Sequence, residues 1–222
     1  MLLEFKKKRS RLQAYTWYGL PLVIIGGWIY PKLGYFLLAC MFGAIGIAFY
    51  KGRAWCDWMC PRGSFYDLFL QKISAQKTIP PLFRKKSFRI FVLATMLSVL
   101  GSQIYFAWPD IDGIGMAMVK LLTVTTIIGI ILGALYQQRV WCHICPMGTL
   151  GNYIADGKKP LMIDNSCISC KTCSKACPMQ LAPYRFKEKG MMGDNDCIKC
   201  SSCVAVCPKK ALVFDGSIKK AA

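Results

Sequence analysis

Twelve of the thirteen cysteines in this 222-residue chain fall into spacings that suit metal-bound thiolates. Two runs near the C-terminal end are alike: Cys167-Ile-Ser-Cys170-Lys-Thr-Cys173-Ser-Lys-Ala-Cys177-Pro178 and Cys197-Ile-Lys-Cys200-Ser-Ser-Cys203-Val-Ala-Val-Cys207-Pro208. Three thiolates two residues apart wrap one face of a [4Fe–4S] cubane, and the fourth, beyond a gap of three, points away to a second cube. The expected sets are therefore Cys167, Cys170, Cys173 and Cys207 for one cluster, and Cys197, Cys200, Cys203 and Cys177 for the other. Zinc would ask for pairs of Cys-x2-Cys hooks, and a disulfide framework belongs to secreted chains. The chemistry that fits is one-electron transfer.

Four more cysteines stand in a duplicated frame. Arg53-Ala-Trp55-Cys56-Asp-Trp-Met-Cys60-Pro61-Arg-Gly63 and Arg139-Val-Trp141-Cys142-His-Ile-Cys145-Pro146-Met-Gly148 share Arg-x-Trp-Cys followed by Cys-Pro-x-Gly. Three readings are open for Cys56, Cys60, Cys142 and Cys145: a third iron–sulfur cluster with two ligands from each half, a redox-active dithiol or disulfide, or a zinc clamp or inert brace. Cys40 stands alone in an apolar stretch and reads as a small core residue.

The elements that must position these motifs are apolar. Mean hydropathy is +0.36, and four stretches, about Tyr15–Tyr30, Leu33–Tyr50, Phe88–Trp108 and Ile114–Tyr136, approach the ~20 residues a helix needs to cross a bilayer. They form two hairpins, each followed by one copy of the cysteine frame, which predicts two membrane repeats related about the membrane normal. Of the 29 Lys and Arg, five precede the first stretch, nine lie between the second and third, and thirteen follow the fourth. Positive residues mark the cytoplasmic side, so both termini are expected inside an inner membrane. The formal net charge of +18 comes without any groove-reading motif, which sets nucleic acid aside. An oxidised four-thiolate cubane carries about −2, which offsets part of that charge.

Two C-terminal cysteine runs of this kind are those of bacterial two-cluster ferredoxins. With four spans and a Cys-Pro motif behind each hairpin, nearly the whole chain resembles the NapH-type membrane ferredoxins. The second motif, Cys142-His-Ile-Cys145, is one residue shorter than is usual in that family. The resemblance implies a quinol dehydrogenase subunit that passes electrons to other redox subunits; relatives also serve metalloenzyme maturation.

The expected fold is a four-helix membrane domain (residues 1–155) followed by a small α+β ferredoxin domain (156–222). The expected role is electron relay between the quinone pool and a partner complex, with a maturation factor or a membrane anchor for a ferredoxin as alternatives. His143, the single histidine, excludes bis-histidine haem ligation. It is a candidate for a hydrogen bond to a cluster sulfur, an odd ligand or a proton step near a quinone, or it is an interfacial polar residue. Lys120, inside the fourth stretch, either snorkels toward Asp110 and Asp112 or lines a quinone pocket with Gln103. Met179, Met191 and Met192 are expected to cover the clusters.

Overall fold

The computed structural model describes residues 2–214, with side chains from residue 7 onward; the last eight residues of the expected ferredoxin domain lie outside the described residues. Helix α1 (Leu2–Thr16) breaks at Trp17-Tyr18 before α2 (Gly19–Ile29). Pro31 cannot continue α2 and opens a 3-10 turn, Pro31–Tyr35, that reverses the chain into α3 (Phe36–Lys51). The first cysteine frame follows as the short α4 (Trp55–Trp58) and, opened by Pro61, α5 (Pro61–Phe65), which runs into a π-helical turn, Tyr66–Leu70.

The second half repeats this plan with longer helices. Helix α6 (Lys86–Ala107) is joined by a tight turn to α7 (Ile111–Leu135), whose first turn is capped by Asp110 accepting from the backbone N–H groups of Asp112 (3.1 Å) and Gly113 (2.9 Å). Helices α8 (Trp141–Ile144) and α9 (Pro146–Ile154) carry the second frame. The halves interlock: α9 packs on α3, and the turn after α5 packs on α7.

Three helical segments, Pro31–Leu70, Lys86–Ala107 and Ile111–Leu135, are long and apolar enough to cross a membrane. Their outer faces expose Phe42, Phe49, Phe91, Phe106, Ile127 and Ile131, an apolar surface that water would penalise and lipid would not. The stretch expected as a first span is different. Helix α2 has eleven residues, roughly 17 Å of helix, against a hydrocarbon core of about 30 Å.

The C-terminal part is held by a two-residue antiparallel ladder, β1 (Met162–Ile163) with β2 (Leu212–Val213), which joins its two ends. Between them lie α10 (Thr172–Lys175), a 3-10 turn (Pro183–Phe186) and α11 (Ser202–Ala205). The two cysteine runs share their backbone turns. Ser169 and Lys171 in the first run, and Lys199 and Ser201 at the matching positions of the second, take positive φ between 53° and 62°. The loops thus turn left-handed at equivalent points, which wraps the chain around a compact group.

Close approach fixes where α7 sits. A Cβ on Gly34 would strike the Gly115 carbonyl, and one on Gly115 would strike the Pro31 carbonyl. Gly115→Ala is expected to destabilise the protein by about 1–3 kcal/mol through overpacking, read as a lowered Tm in detergent, whereas Gly101→Ala, where a Cβ meets nothing, should leave Tm unchanged.

Candidate metal centre

The two cysteine frames meet at the junction of the halves. Cys56, Cys60, Cys142 and Cys145 line a single cavity of about 190 Å³, together with both copies of the frame's tryptophan, proline and glycine: Trp55 and Trp141, Pro61 and Pro146, Gly63 and Gly148. From the thiols the cavity extends between α2, α3, α6 and α7, where Leu20, Leu37, Met41, Met96, Leu100 and Leu122 make its walls apolar. Cys40 also lines it. The polar side chains at its edge are Arg62 and Thr125, which are bonded to each other (Arg62 Nη2 to Thr125 Oγ1, 2.9 Å). The Arg62 guanidinium also lies 5.6 Å from the Trp141 ring centre.

The frame's arginines cross over. Arg53 Nη2 donates to the carbonyl of Cys142 (2.5 Å), and Arg139 Nη1 donates to the carbonyl of Cys56 (2.6 Å). Both side chains are fully buried. The frame's glycines make room for them: a Cβ on Gly63 would lie 2.7 Å from Arg139 Nη1, and one on Gly148 would lie 2.7 Å from Arg53 Nη2. Each half therefore supplies the guanidinium that fixes the other half's first cysteine.

Carboxylates hold each arginine. Arg139 pairs with Asp67 (2.7 Å) and Asp57 (3.2 Å), and Arg9 from α1 pairs with the same two (2.8 and 2.7 Å). On the other side Asp196, the residue before Cys197, takes Arg53 (2.7 Å), Arg89 (2.5 Å) and the Asn152 amide (2.7 Å). His143 is fully buried, with Nδ1 3.5 Å from Arg89 and 3.6 Å from Asp196. Burial lowers its pKa against the pull of Asp196. The loop Lys77–Arg84 grips the C-terminal part from another side: Arg84 donates to the carbonyls of Met179 (2.7 Å) and Gln180 (2.9 Å), and the Gln180 side chain bonds Ile79 and Lys77.

Two further cavities lie in the C-terminal part. One is lined by Cys167, Cys170, Cys173 and Cys207, the other by Cys177, Cys197, Cys200 and Cys203, with Met179 and Met192 over the second; Met191 is exposed. All thirteen cysteines are free. Among the described residues no three His, Cys, Asp or Glu side chains close on one ion's position; the thiols of each set stand around a cavity, as the corners of a cubane require. Burial pushes the thiols of Cys142 and Cys177 up to about 11 and that of Cys197 up to about 12, so their protons leave when metal takes their place.

Family comparison bears on both parts. A 4Fe-4S binding domain matches residues 33–90 and 119–162, taking in both cysteine frames, and a 4Fe-4S dicluster domain matches residues 166–212. These matches support an iron–sulfur, ferredoxin-type family. Two uncharacterized proteins of Methanocaldococcus jannaschii are similar: one is 29% identical over 143 residues (62% of this chain, 56% of that protein) and the other 26% over 160 residues (65% and 66%). The methylamine utilization ferredoxin-type protein MauN of Methylobacillus flagellatus is 26% identical over 145 residues (58% and 49%). The chain spans about half to two thirds of the length of these relatives. No solved structure matches it.

Lys120 and Gln103 stand apart from the cavity at the frames. Lys120 is exposed on α7, and Gln103 is half-buried on α6 with its Oε1 unpartnered; neither lines that cavity. Asp110 is occupied as a helix cap. Sequence reasoning singled out the frame but not the bonds its arginines make across the halves, nor Asp57, Asp67 and Asp196. One signal for Asp196 was visible: Asp194-Asn-Asp196-Cys197 carries a second acid where Asp164-Asn-Ser166-Cys167 has serine.

Asp196→Asn leaves Arg53 and Arg89 without their carboxylate and is expected to cost about 3–5 kcal/mol. The pH dependence follows. Burial alone would raise the Asp196 pKa, but His143, Arg89 and Arg53 outweigh it and hold it well below the usual carboxylate range. The ionised form thus stabilises the fold fully above the unfolded value of about 3.9, and this is lost as pH falls further. Tm against pH should show an acid limb below about pH 4 that is flattened in Asp196→Asn.

Proposed function

We propose that this chain is a membrane-bound electron-transfer subunit with three iron–sulfur centres in series, the innermost held by Cys56, Cys60, Cys142 and Cys145. The observation that carries this reading is a surplus of positive charge beside those four thiols, from the buried Arg53, Arg89 and Arg139 and the half-buried Arg9 and Arg62. Arg9, Arg53, Arg89 and Arg139 face only Asp57, Asp67 and Asp196 in the ion-paired network, and Arg62 stands at the cavity edge without a carboxylate among the described residues. A surplus of two matches the charge of about −2 on an oxidised four-thiolate cubane. Neutral thiols or a disulfide would leave that surplus without a counter-charge beside them. Four-thiolate zinc has the same charge, but the domain matched over these residues is a 4Fe-4S binding one.

Bound clusters supply the one-electron steps, and the chain holds, insulates and orders them. Asp196 ties the Cys197 loop to Arg53 of the first frame, which makes the Cys177–Cys197–Cys200–Cys203 set the next station and the Cys167 set the outer one. We take the apolar cavity above the innermost thiols as the place for a quinol ring. Its hydrogen-bond partners would be Arg62 and Thr125 rather than Lys120 and Gln103. In this reading the two hairpins, α2 included, form a four-helix membrane domain (1–155) with both termini cytoplasmic, residues 156–222 form the ferredoxin domain, and the chain works as a NapH-like subunit of a larger complex.

Protein purified without oxygen should contain about twelve irons per chain with matching sulfide, and Cys142→Ser should lose about four of them. About eight irons in both would contradict the third centre. Arg62→Met should slow bleaching of the clusters by a menaquinol analogue about tenfold or more, the worth of one hydrogen bond from a charged group, with rates expressed per iron bound because the variant also removes one charge beside the cluster. Equal rates would remove Arg62 from the quinol site.

A further inference from the structure

The two cysteine runs are repeats, so every position around the outer centre has a counterpart around the inner one. Lys171 corresponds to Ser201, Lys175 to Ala205, Lys209 to Met179 and Lys210 to Gln180. Lys171 lies between Cys170 and Cys173, Lys175 follows Cys173 on α10, and Lys209 and Lys210 follow Cys207, so the four belong to turns that carry the Cys167–Cys170–Cys173–Cys207 set; Lys209 lines its cavity, as Met179 and Ser201 line the other. The counterpart face is in use, and the lysine it carries where the outer run has Ser169, Lys199, is spent on the carbonyls of Lys158 and Lys159. Met179 and Gln180 are gripped by Arg84, Lys77 and Ile79; the Lys199 carbonyl accepts from the Trp58 indole (3.4 Å), and α11 packs on α1. The basic face has no such cover among the described residues. Lys171, Lys175, Lys209 and Lys210 are exposed, and none has a carboxylate within ion-pair distance among the described residues. Cys170 is exposed as well, and Ile168 beside it is 58% exposed.

We propose that this face is the docking surface for a small, soluble, acidic electron-carrier protein, with Ile168 at the centre and the four lysines as its collar. It is the repeat-related equivalent of the face by which the inner centre meets the N-terminal half. That half needs neutral groups there because the contact is buried; a partner that comes and goes is better steered by charge. The inference rests on the electron-transfer reading above. One electron crosses the contact: the carrier changes oxidation state by one, the centre held by the Cys167 set changes by one in the opposite sense, and no bond or proton moves. Anionic lipid is the other acidic surface in reach. The observations disfavour it, since the lysines belong to the turns of the outer set while the contacts with the membrane half gather at the inner one.

The test uses the full chain in nanodiscs of neutral lipid, with an acidic two-cluster ferredoxin as the probe. Its Kd should weaken about tenfold or more between roughly 50 and 200 mM salt. Changing the four lysines to glutamine should weaken it about as much at low salt and flatten the salt dependence, while four Lys→Arg changes should restore it. Iron content equal to the parent protein certifies the fold; should the quadruple variant lose iron, K171Q/K175Q and K209Q/K210Q are compared separately. Dithionite reduces the C-terminal clusters directly, so the exchange rate with the probe is measured without quinol or the third centre, and a failed quinol assay leaves this result standing. An unchanged Kd in the glutamine variants would overturn the proposal. So would a defect confined to co-sedimentation with phosphatidylglycerol vesicles, which would assign the collar to lipid.

Discussion

A guanidinium buried away from water must find acceptors for its donors within the protein, and Arg53 and Arg139 find part of theirs across the boundary between the repeats. Each spends one amine on the carbonyl of the other half's first cysteine and another on carboxylates: Arg53 on Asp196, with its Nε left unpartnered, and Arg139 on Asp57 and Asp67. Neither half can satisfy its own arginine alone. Docking of the halves is therefore coupled to the placement of the four thiols: a slip between hairpins would strand two charges at a cost of several kcal/mol each. The glycines of the frame exist for the same reason, since any side chain there would occupy the space of the opposite guanidinium.

The same constraint reaches into the C-terminal part. Arg53 shares Asp196 with Arg89, and Asp196 precedes Cys197 in the chain. A single carboxylate thus ties the first cysteine frame, the start of α6 and the Cys197 loop. Cys142 and Cys56 pack into one apolar cluster with Cys173, Cys197, Cys200 and Cys203, so the thiol sets are neighbours in one packed body. Apolar packing excludes water from them and charge fixes their register.

Part of this was legible in the residues, and the limits have physical causes. Thiol spacing can be read because cluster geometry dictates it, and the twelve cysteines picked out by spacing all line one of the three cavities. The duplicated frame was legible as a repeat. Its arginines were not: Arg53, Arg84, Arg89 and Arg139 count as inside-facing anchors in a charge tally, whereas each is spent on a bond between distant segments. Hydropathy over Tyr15–Tyr30 gives no sign of where the helix breaks, at Trp17-Tyr18 and before Pro31, so the length of α2 was not legible. Lys120 drew attention as a charge within an apolar stretch, but composition does not say which way a side chain faces, and the polar edge of the cavity is made by Arg62 and Thr125.

Whether two halves clasped through their arginines build one cluster site between them is tested by locating iron: an anomalous-difference map at the iron edge, from crystals grown without oxygen. Three separate iron peaks per chain are expected, one of them enclosed by Cys56, Cys60, Cys142 and Cys145. Two peaks, both in the C-terminal part, with ordered thiols and no iron between the halves, would contradict a shared site.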